Sequence, residues 1–467
     1  MIRNTLLITL AIACFAGCTL APHYTRPAPP VPAEWPTGAA YQGAADGRTD
    51  QAAADIGWRE FYADERLQKV IGLALDNNRD LRIATLNVER ARALYGIQRA
   101  GLLPTLNAVG SGYQERLPAD LSTTGSSMIA EEYKVNLGIL SWEIDFFGRL
   151  RSLKDKALEE YLATEHGQRG AQILLVSAVA GSYLTLAADQ ENFNLAQSTL
   201  TNQQAAYGLI QRRYEVGLTT ELDLRRAQTQ VDSARGDVAL YKRLVALDEN
   251  ALNLLAGVPV PKELLPADLD RVVPLQEISP GLSSEVLLRR PDILSAEHQL
   301  KANNANIGAA RAAFFPRVSL TTAFGTASSE LSGLFKAGSS NWTFAPQIVM
   351  PIFDARLWSA LETIKVEREI AVAQYEKSIQ AAFKEVADAL ALQGTLGDQM
   401  AAQESRVQAL ADTYRLSEAR YTQGVDNYLS VLDAQRSLYA AQQGLITLRL
   451  ARLNNLVIFY RALGGGR

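Results

Sequence analysis

Cysteine and histidine are almost absent from this chain. Two cysteines occur in 467 residues, Cys14 and Cys18, and none follows position 18. A mature chain that begins at Cys18 therefore has no partner for an internal disulfide and no thiolate metal cluster. The three histidines, His23, His166 and His298, are scattered without metal-ligand or catalytic-triad spacing. The sequence predicts a protein that is not an enzyme and binds no metal or other cofactor.

An excess of either charge is also lacking, and long apolar runs are few. The chain has 46 Lys+Arg against 50 Asp+Glu, a net charge of −4. This balance gives no basic surface for nucleic acid. After the amino terminus we find no run of about 18 apolar residues, the length that a transmembrane helix requires. The sequence therefore predicts no nucleic-acid partner and no membrane-spanning helix.

The amino terminus has the features of a secretory signal. Arg3 precedes an apolar run from Leu6 to Phe15, and the small residues Ala16 and Gly17 follow. The run is too short to span a bilayer, so residues 1–17 are predicted to be a cleaved signal peptide. Cys18 after Ala-Gly resembles a bacterial lipobox, which implies diacylglycerol and an N-acyl chain such as palmitate on Cys18. The alternative is an ordinary signal peptide that contains two cysteines.

The second half of the chain repeats the first. Gly96–Pro104 returns as Gly308–Pro316, and Arg213–Gly217 returns as Arg420–Gly424. The offset is 212 residues at the first pair and 207 at the second. Such a duplication indicates one architectural unit used twice. We therefore divide the mature chain into a tether, a first repeat, a proline-rich connector and a second repeat, at 18–60, 61–258, 259–284 and 285–467.

Proline is missing from two long stretches, and both are helical in pattern. No proline occurs between Pro118 and Pro259 or after Pro351. Apolar residues there recur at three- and four-residue steps, which predicts helices of on the order of 100 Å at 1.5 Å per residue. Gly217 and Gly424 interrupt these runs, and helix-starting residues follow each of them. The pattern predicts two long antiparallel helical hairpins; two separate small bundles fit it less well.

Between the helical stretches lie four strand-like runs. Two alternate clearly, around Tyr133–Ile139 and Trp342–Met350, and two weaker runs lie at Thr105–Tyr113 and Val318–Phe324. Apolar alternation over about ten residues fits transmembrane barrel strands, although a soluble sandwich has the same period. Four strands cannot close a barrel alone, and open edges are not tolerated in lipid. Three copies would supply twelve strands; two would supply eight, so the residues alone leave a dimer open. The segments 114–132 and 325–341 are predicted to be barrel loops.

Three motifs resemble the bacterial outer-membrane efflux factors, the TolC-like channel tunnels, and within them the lipidated OprM-like branch. They are Cys18–Pro27, Leu287–Ile293 and, most specifically, Arg420–Gln435. The resemblance covers nearly the whole chain. It implies a homotrimer with a twelve-stranded β-barrel in the outer membrane and a periplasmic α-barrel of helical hairpins. It also implies docking to a periplasmic adaptor and an inner-membrane pump of the resistance-nodulation-division (RND) class.

The same resemblance assigns roles at the hairpin tips. Leu429 corresponds to an apolar ring of a periplasmic gate and Asp433 to an acidic ring, while Tyr421 is a candidate for hydrogen bonds that keep the tip shut. Residues at the two turns are candidate adaptor contacts: Gly217, Gly424, Val425 and Asp426. The plainer interpretation is that Leu429 packs in the coil and Asp433 is a solvated helix residue.

These observations predict an outer-membrane lipoprotein that acts as the passive exit duct of a tripartite efflux system for drugs or other small molecules. The alternative is a structural periplasmic coiled-coil lipoprotein without channel activity. That alternative accounts for the helices and Cys18, but it leaves the alternating runs around Trp342 and Phe344 unexplained.

Overall fold

The computed structural model describes residues 19–41, 55–272 and 283–466. The predicted signal peptide, Cys18, and parts of the predicted tether and connector lie outside these residues. The described residues divide into two compact units. Unit 1 comprises 19–28, 87–165 and 295–375, and unit 2 comprises 29–41, 55–86, 166–272, 283–294 and 376–466.

Eight α-helices and four β-strands account for most of the described residues. The helices are α1 Trp58–Phe61, α2 Glu65–Asn77, α3 Arg79–Ala100, α4 Arg149–Glu215, α5 Glu221–Ala256, α6 Pro291–Ala312, α7 Ala355–Thr422 and α8 Tyr428–Ala462. The strands are β1 Leu106–Leu117, β2 Met128–Ile144, β3 Arg317–Ser328 and β4 Ser340–Val349. Each repeat therefore has the order helix, two strands, long helix, shorter helix, as the duplicated sequence predicts.

The strands in unit 1 form one antiparallel sheet in the order β1-β2-β3-β4. The central β2–β3 ladder joins the two repeats and pairs Leu137 with Phe324, with a register shift between Ile139 and Trp142. Large apolar side chains on the sheet are exposed, among them Trp342 at 73% and Phe344 at 61%. Within the part of the chain that the structure describes, β1 and β4 leave their outer edges unpaired.

The bounds predicted for both barrel loops are too wide, because the strands extend into them. Pairing in the first hairpin continues to Leu117 and Met128, so the connection spans 118–127 rather than 114–132. In the second hairpin the strands extend to Ser328 and begin again at Ser340. The error has a physical cause: polar residues such as Glu115 and Arg116 interrupt the alternation, but backbone hydrogen bonding does not depend on the side chain.

Two glycines permit close approach of β2 and β3. A Cβ on Gly325 would lie 2.0 Å from the carbonyl oxygen of Val135, and a Cβ on Gly138 would lie 2.2 Å from that of Thr322. Real Cβ atoms do not come this near to backbone oxygen, so only glycine fits these positions. By contrast, a Cβ on Gly110 in β1 would meet nothing within 4 Å.

The segment before Ala28 lies along α6 in unit 1. Arg26 and Tyr24 hydrogen-bond the carboxylate of Glu297, which is 3% exposed, with Arg26 Nη2 at 2.5 Å. Further along α6, Asn304 donates to the carbonyl oxygen of Pro22 at 2.8 Å. Proline suits this extended segment, but specific polar contacts hold it on the helix.

In unit 2, aromatic packing joins the carboxyl-terminal helix to the short helix α1. Tyr460 of α8 stacks on Phe61 with ring centroids 3.9 Å apart, and its hydroxyl donates to the carbonyl oxygen of Ile56 at 2.6 Å. Tyr183 of α4 is also fully buried. These large buried rings supply much of the apolar core of this unit.

Among the described helices, α4 is long and apolar enough to cross a membrane by length and composition alone, although the sequence predicted no such helix. A window within α4 has a mean hydropathy of 1.6, but 61% of that window is buried inside the protein. Core helices of soluble regions satisfy the same test, so this apolar stretch is accounted for by packing.

Candidate functional site

The two helical hairpins turn through the same backbone motif. After α4, the amide of Leu218 donates to the carbonyl of Arg213 at 2.7 Å and that of Gly217 to Tyr214 at 2.9 Å. After α7, Val425 and Gly424 repeat these bonds to Arg420 and Tyr421 at 2.9 and 3.0 Å. Gly217 and Gly424 both have φ of +75°, the left-handed conformation that favours glycine at a helix end. The duplication therefore extends to individual hydrogen bonds.

The two tips differ in their side chains. Thr220 caps α5 by accepting a hydrogen bond from the amide of Asp223 at 3.2 Å. Asn427 precedes α8 but makes no capping hydrogen bond with its side chain. Instead, Asp426 forms a bidentate ion pair with Arg420, at 2.6 and 3.0 Å. This guanidinium lowers the pKa of Asp426, so the second turn carries a closed ion pair at neutral pH.

A small apolar core holds the two tips together. Its buried members are Ile210, Ala227, Tyr428, Val431 and Leu432, and its half-buried members are Tyr207, Leu224, Tyr414 and Tyr421. These residues come from α4, α5, α7 and α8. Both hairpins therefore contribute to one packed cluster at this end of unit 2.

Tyr421 packs against the buried members of this cluster. Its ring packs against Tyr428 at 5.2 Å between centroids, and the guanidinium of Arg213 lies 5.1 Å from the ring centre. Among the described residues, the buried hydroxyl groups of Tyr421 and Tyr428 have no hydrogen-bond partner. Sequence reasoning missed Tyr428 as a member of this cluster, although an aromatic residue at the start of α8 could have indicated that it is buried there. A cavity of about 450 Å³ lies beside both rings.

Leu429 and Asp433 lie one turn apart on α8 and are both solvent-accessible. Leu429 is 38% exposed, and the Asp433 side chain is 55% exposed. Arg436, one turn further on, contacts the Asp433 carboxylate, and sequence reasoning missed this partner. At the equivalent position in the first repeat, Arg226 lies 3.8 Å from Asp223. The two repeats thus place opposite charges at equivalent positions, and Asp433 carries its own counter-charge within the chain.

Comparison with known proteins matches both repeats. The family model "outer membrane efflux protein" covers residues 70–258 and 282–465. The toluene efflux pump outer membrane protein TtgC of Pseudomonas putida is 48% identical over 464 residues, 98% of this chain and 95% of its own. The chain belongs to the outer membrane efflux protein family. The solvent efflux pump outer membrane protein SrpC of Pseudomonas putida is 49% identical, over 98% of this efflux protein and 97% of its own length.

A solved structure supports the same architecture. The open state of the MtrE outer membrane channel of Neisseria gonorrhoeae superposes with a TM-score of 0.86 and 38% identity. The match covers 96% of this efflux protein and 98% of the MtrE chain. The predicted fold class, a duplicated and mostly helical chain with a four-stranded β-part, is confirmed. The efflux protein is an outer-membrane component of an efflux pump, and none of the comparisons favours the purely structural coiled coil.

Proposed function

We propose that this efflux protein is a homotrimeric, passive exit duct rather than an enzyme. The observation that carries the proposal is the four-stranded sheet with exposed apolar side chains and unpaired outer edges in β1 and β4. An edge facing lipid leaves backbone groups without partners, and three sheets joined edge to edge would remove every edge in a twelve-stranded barrel.

The mass of the mature protein in mild detergent, combined with membrane fractionation, tests this assembly. We expect a trimer in the outer-membrane fraction and discrete conductance in planar bilayers. A monomer, or a species without conductance, would contradict it.

We propose that the duct serves an RND-type inner-membrane pump through a periplasmic adaptor. The adaptor would bind the hairpin tips at Gly217, Gly424, Val425 and Asp426. Val425 is 59% exposed, and Leu218 beside Gly217 is 69% exposed, so apolar surface is available at both turns. Because the related pump proteins are named for toluene and solvents, we propose small apolar organic molecules among the cargo.

We propose that Cys18 carries diacylglycerol and an N-acyl chain after removal of residues 1–17. These two groups together carry three acyl chains, and a single chain would bind the membrane only marginally. We also propose the domain boundaries that the sequence predicts. The tether would span 18–60, the repeats 61–258 and 285–467, and the connector 259–284. Mass spectrometry of the mature amino terminus tests the lipid and the cleavage site together.

We propose that Leu429 and Asp433 form the narrowest rings of the closed duct around the three-fold axis, and that Tyr421 supports the closed tip. A carboxylate ring favours cations, and the nearby Arg436 would tie each carboxylate in place and so keep the closed ring narrow. Tyr421 would support the tip through its packing against Tyr428 and the Arg213 guanidinium near its ring.

Asp433→Ala should raise single-channel conductance, because it removes both the carboxylate and its contact with Arg436. We expect an increase of about twofold or more, measured in planar bilayers at low salt, where charge effects are largest. Asp232→Ala is the matched control, since Asp232 is also 55% exposed and pairs with an arginine three residues later. Equal conductance of the Asp433 variant and the wild type would rule out the ring.

A further inference from the structure

Helices α4 and α6 pack side by side in unit 1. The hydroxyl of Ser295 on α6 donates to the carbonyl oxygen of Ala163 on α4 at 2.8 Å. Close by, His298 Nδ1 lies 2.6 Å from Glu159 Oε2. Position 298 follows 295 on α6, whereas 159 precedes 163 on α4, so the two helices run antiparallel. Because α4 follows β2 and α6 precedes β3, this packing accompanies the pairing of those two strands.

Small residues permit close approach of the same two helices nearer the sheet. A Cβ on Gly308 of α6 would lie 2.6 Å from the hydroxyl oxygen of Ser152 on α4. Ser152 is buried there. A larger residue at position 308 would therefore push against α4.

The sequence duplication gives each of these residues a counterpart on α3 or α7. The offset of 212 relates α6 to α3, since Gly308–Pro316 repeats Gly96–Pro104. The offset of 207 relates α4 to α7, since Arg149-Leu150 returns as Arg356-Leu357. By these offsets, the pairs Ser295–Ala163, His298–Glu159 and Gly308–Ser152 correspond to Ile83–Ile370, Leu86–Val366 and Gly96–Ser359.

These counterparts are exposed, although the residues that they repeat are packed. The four aliphatic side chains among them are 45–56% exposed in the single chain. A Cβ on Gly96 would meet nothing within 4 Å, and Ser359 is exposed. Two helices thus carry apolar surface at the positions where their repeats bind each other, which marks a surface that another chain covers.

The strands next to these surfaces indicate which chain covers them. Helix α3 leads into β1 and α7 follows β4, and these are the two outer strands of the sheet. In the proposed trimer, β4 of one copy pairs with β1 of the next. That ladder would repeat between copies the β2–β3 ladder of a single copy, and it would bring α7 of one copy beside α3 of the next.

We propose that α3 of one copy packs antiparallel against α7 of the next and repeats between chains the α4–α6 contact of a single chain. Leu86 would contact Val366 of the partner subunit, and Gly96 would face Ser359 of the partner subunit. The inference rests on the proposed homotrimer and names the residues that join its copies. An apolar pair stands where the single chain has a histidine and a carboxylate, as suits the more apolar interfaces of permanent oligomers.

Disulfide trapping in the purified full-length protein tests this register. The chain has no cysteine after position 18, so an added pair reports alone. Gly96→Cys/Ser359→Cys should give covalent dimers and trimers on non-reducing gels, because the corresponding positions 308 and 152 lie close enough for a Cβ to touch the opposite side chain. Gly96→Cys/Lys365→Cys is the control and should stay unlinked, since the exposed Lys365 lies six residues, about 9 Å, further along α7.

The same experiment separates this contact from the trimer itself. If the protein is a trimer in mild detergent and the 96/359 pair does not cross-link, the α3–α7 contact is wrong and the homotrimer stands. If the wild type is a monomer, the homotrimer is contradicted and this contact with it.

Exchange of the apolar pair tests the contact without added cysteines. Val366→Glu should raise the concentration at which half of the trimer dissociates by on the order of tenfold or more, because it buries a carboxylate without a partner. Adding Leu86→His should restore most of the stability, since it transplants the Glu159–His298 contact into the interface. Analytical ultracentrifugation in mild detergent measures both. An unchanged trimer in Val366→Glu, or no recovery in the double variant, would show that Leu86 and Val366 do not meet.

Discussion

Arg290→Ala should lower the free energy of unfolding by about 1–3 kcal/mol, because it removes the buried guanidinium that holds the end of α8. The Arg290 side chain is 10% exposed and bonds Asp292 at 2.8 Å and Glu385 at 3.0 Å. It also donates to the carbonyl oxygen of Ala462 at 2.7 Å, which fixes the end of α8. Loss of the guanidinium leaves the Ala462 carbonyl oxygen without a partner in a buried site, whereas Asp292 and Glu385, at 50% and 40% exposed, remain solvated.

Denaturant or thermal unfolding of the purified protein measures this effect. Arg289→Ala provides the matched control, since the neighbouring Arg289 is 52% exposed and pairs with Asp55 at the surface. Exposed pairs contribute about 0–1 kcal/mol, so the control should unfold close to wild type. Similar losses for the two variants would show that Arg290 does not act through its buried contacts.

Gly325→Val should prevent assembly of the sheet and abolish membrane insertion. Its Cβ would meet the Val135 carbonyl oxygen at 2.0 Å and the Asn136 Cα at 2.7 Å, both in the backbone of β2. Backbone atoms cannot move aside as a flexible side chain can, so β2 and β3 would have to separate. Each backbone bond lost in lipid costs several kcal/mol.

The yield of heat-resistant, outer-membrane-inserted protein measures this prediction. Gly110→Val is the control, because Gly110 also lies in a strand but has open space where a Cβ would be. It should insert at nearly the wild-type level. Wild-type insertion of the Gly325 variant would contradict the close strand contact.

Some features could be predicted because a single residue dictates them. Gly217 and Gly424 occupy left-handed positions that side chains rarely adopt, so glycine after a long helical run indicates each turn. The strand ends could not be predicted in this way, since backbone pairing continues through Glu115 and Arg116. Alternation of apolar and polar side chains indicates which face of a strand is apolar. It does not indicate where backbone hydrogen bonding between the strands ends.

Pairs brought together by folding were missed for a related reason. Arg436 lies three residues from Asp433, and its contact could have been read from helical spacing. Arg290 and Glu385, by contrast, are 95 positions apart, and no local spacing connects them. Their contact becomes visible only in the packed structure.

The central ladder of the sheet has a consequence for biogenesis. Its partners Leu137 and Phe324 are 187 positions apart (324 − 137), so β2 emerges from the ribosome well before β3 is synthesised. Contacts of such high sequence separation form slowly, and an unpaired apolar strand invites aggregation. Until β3 is made, the chain must therefore remain soluble with β1 and β2 alone. A holding chaperone would be needed most during this interval.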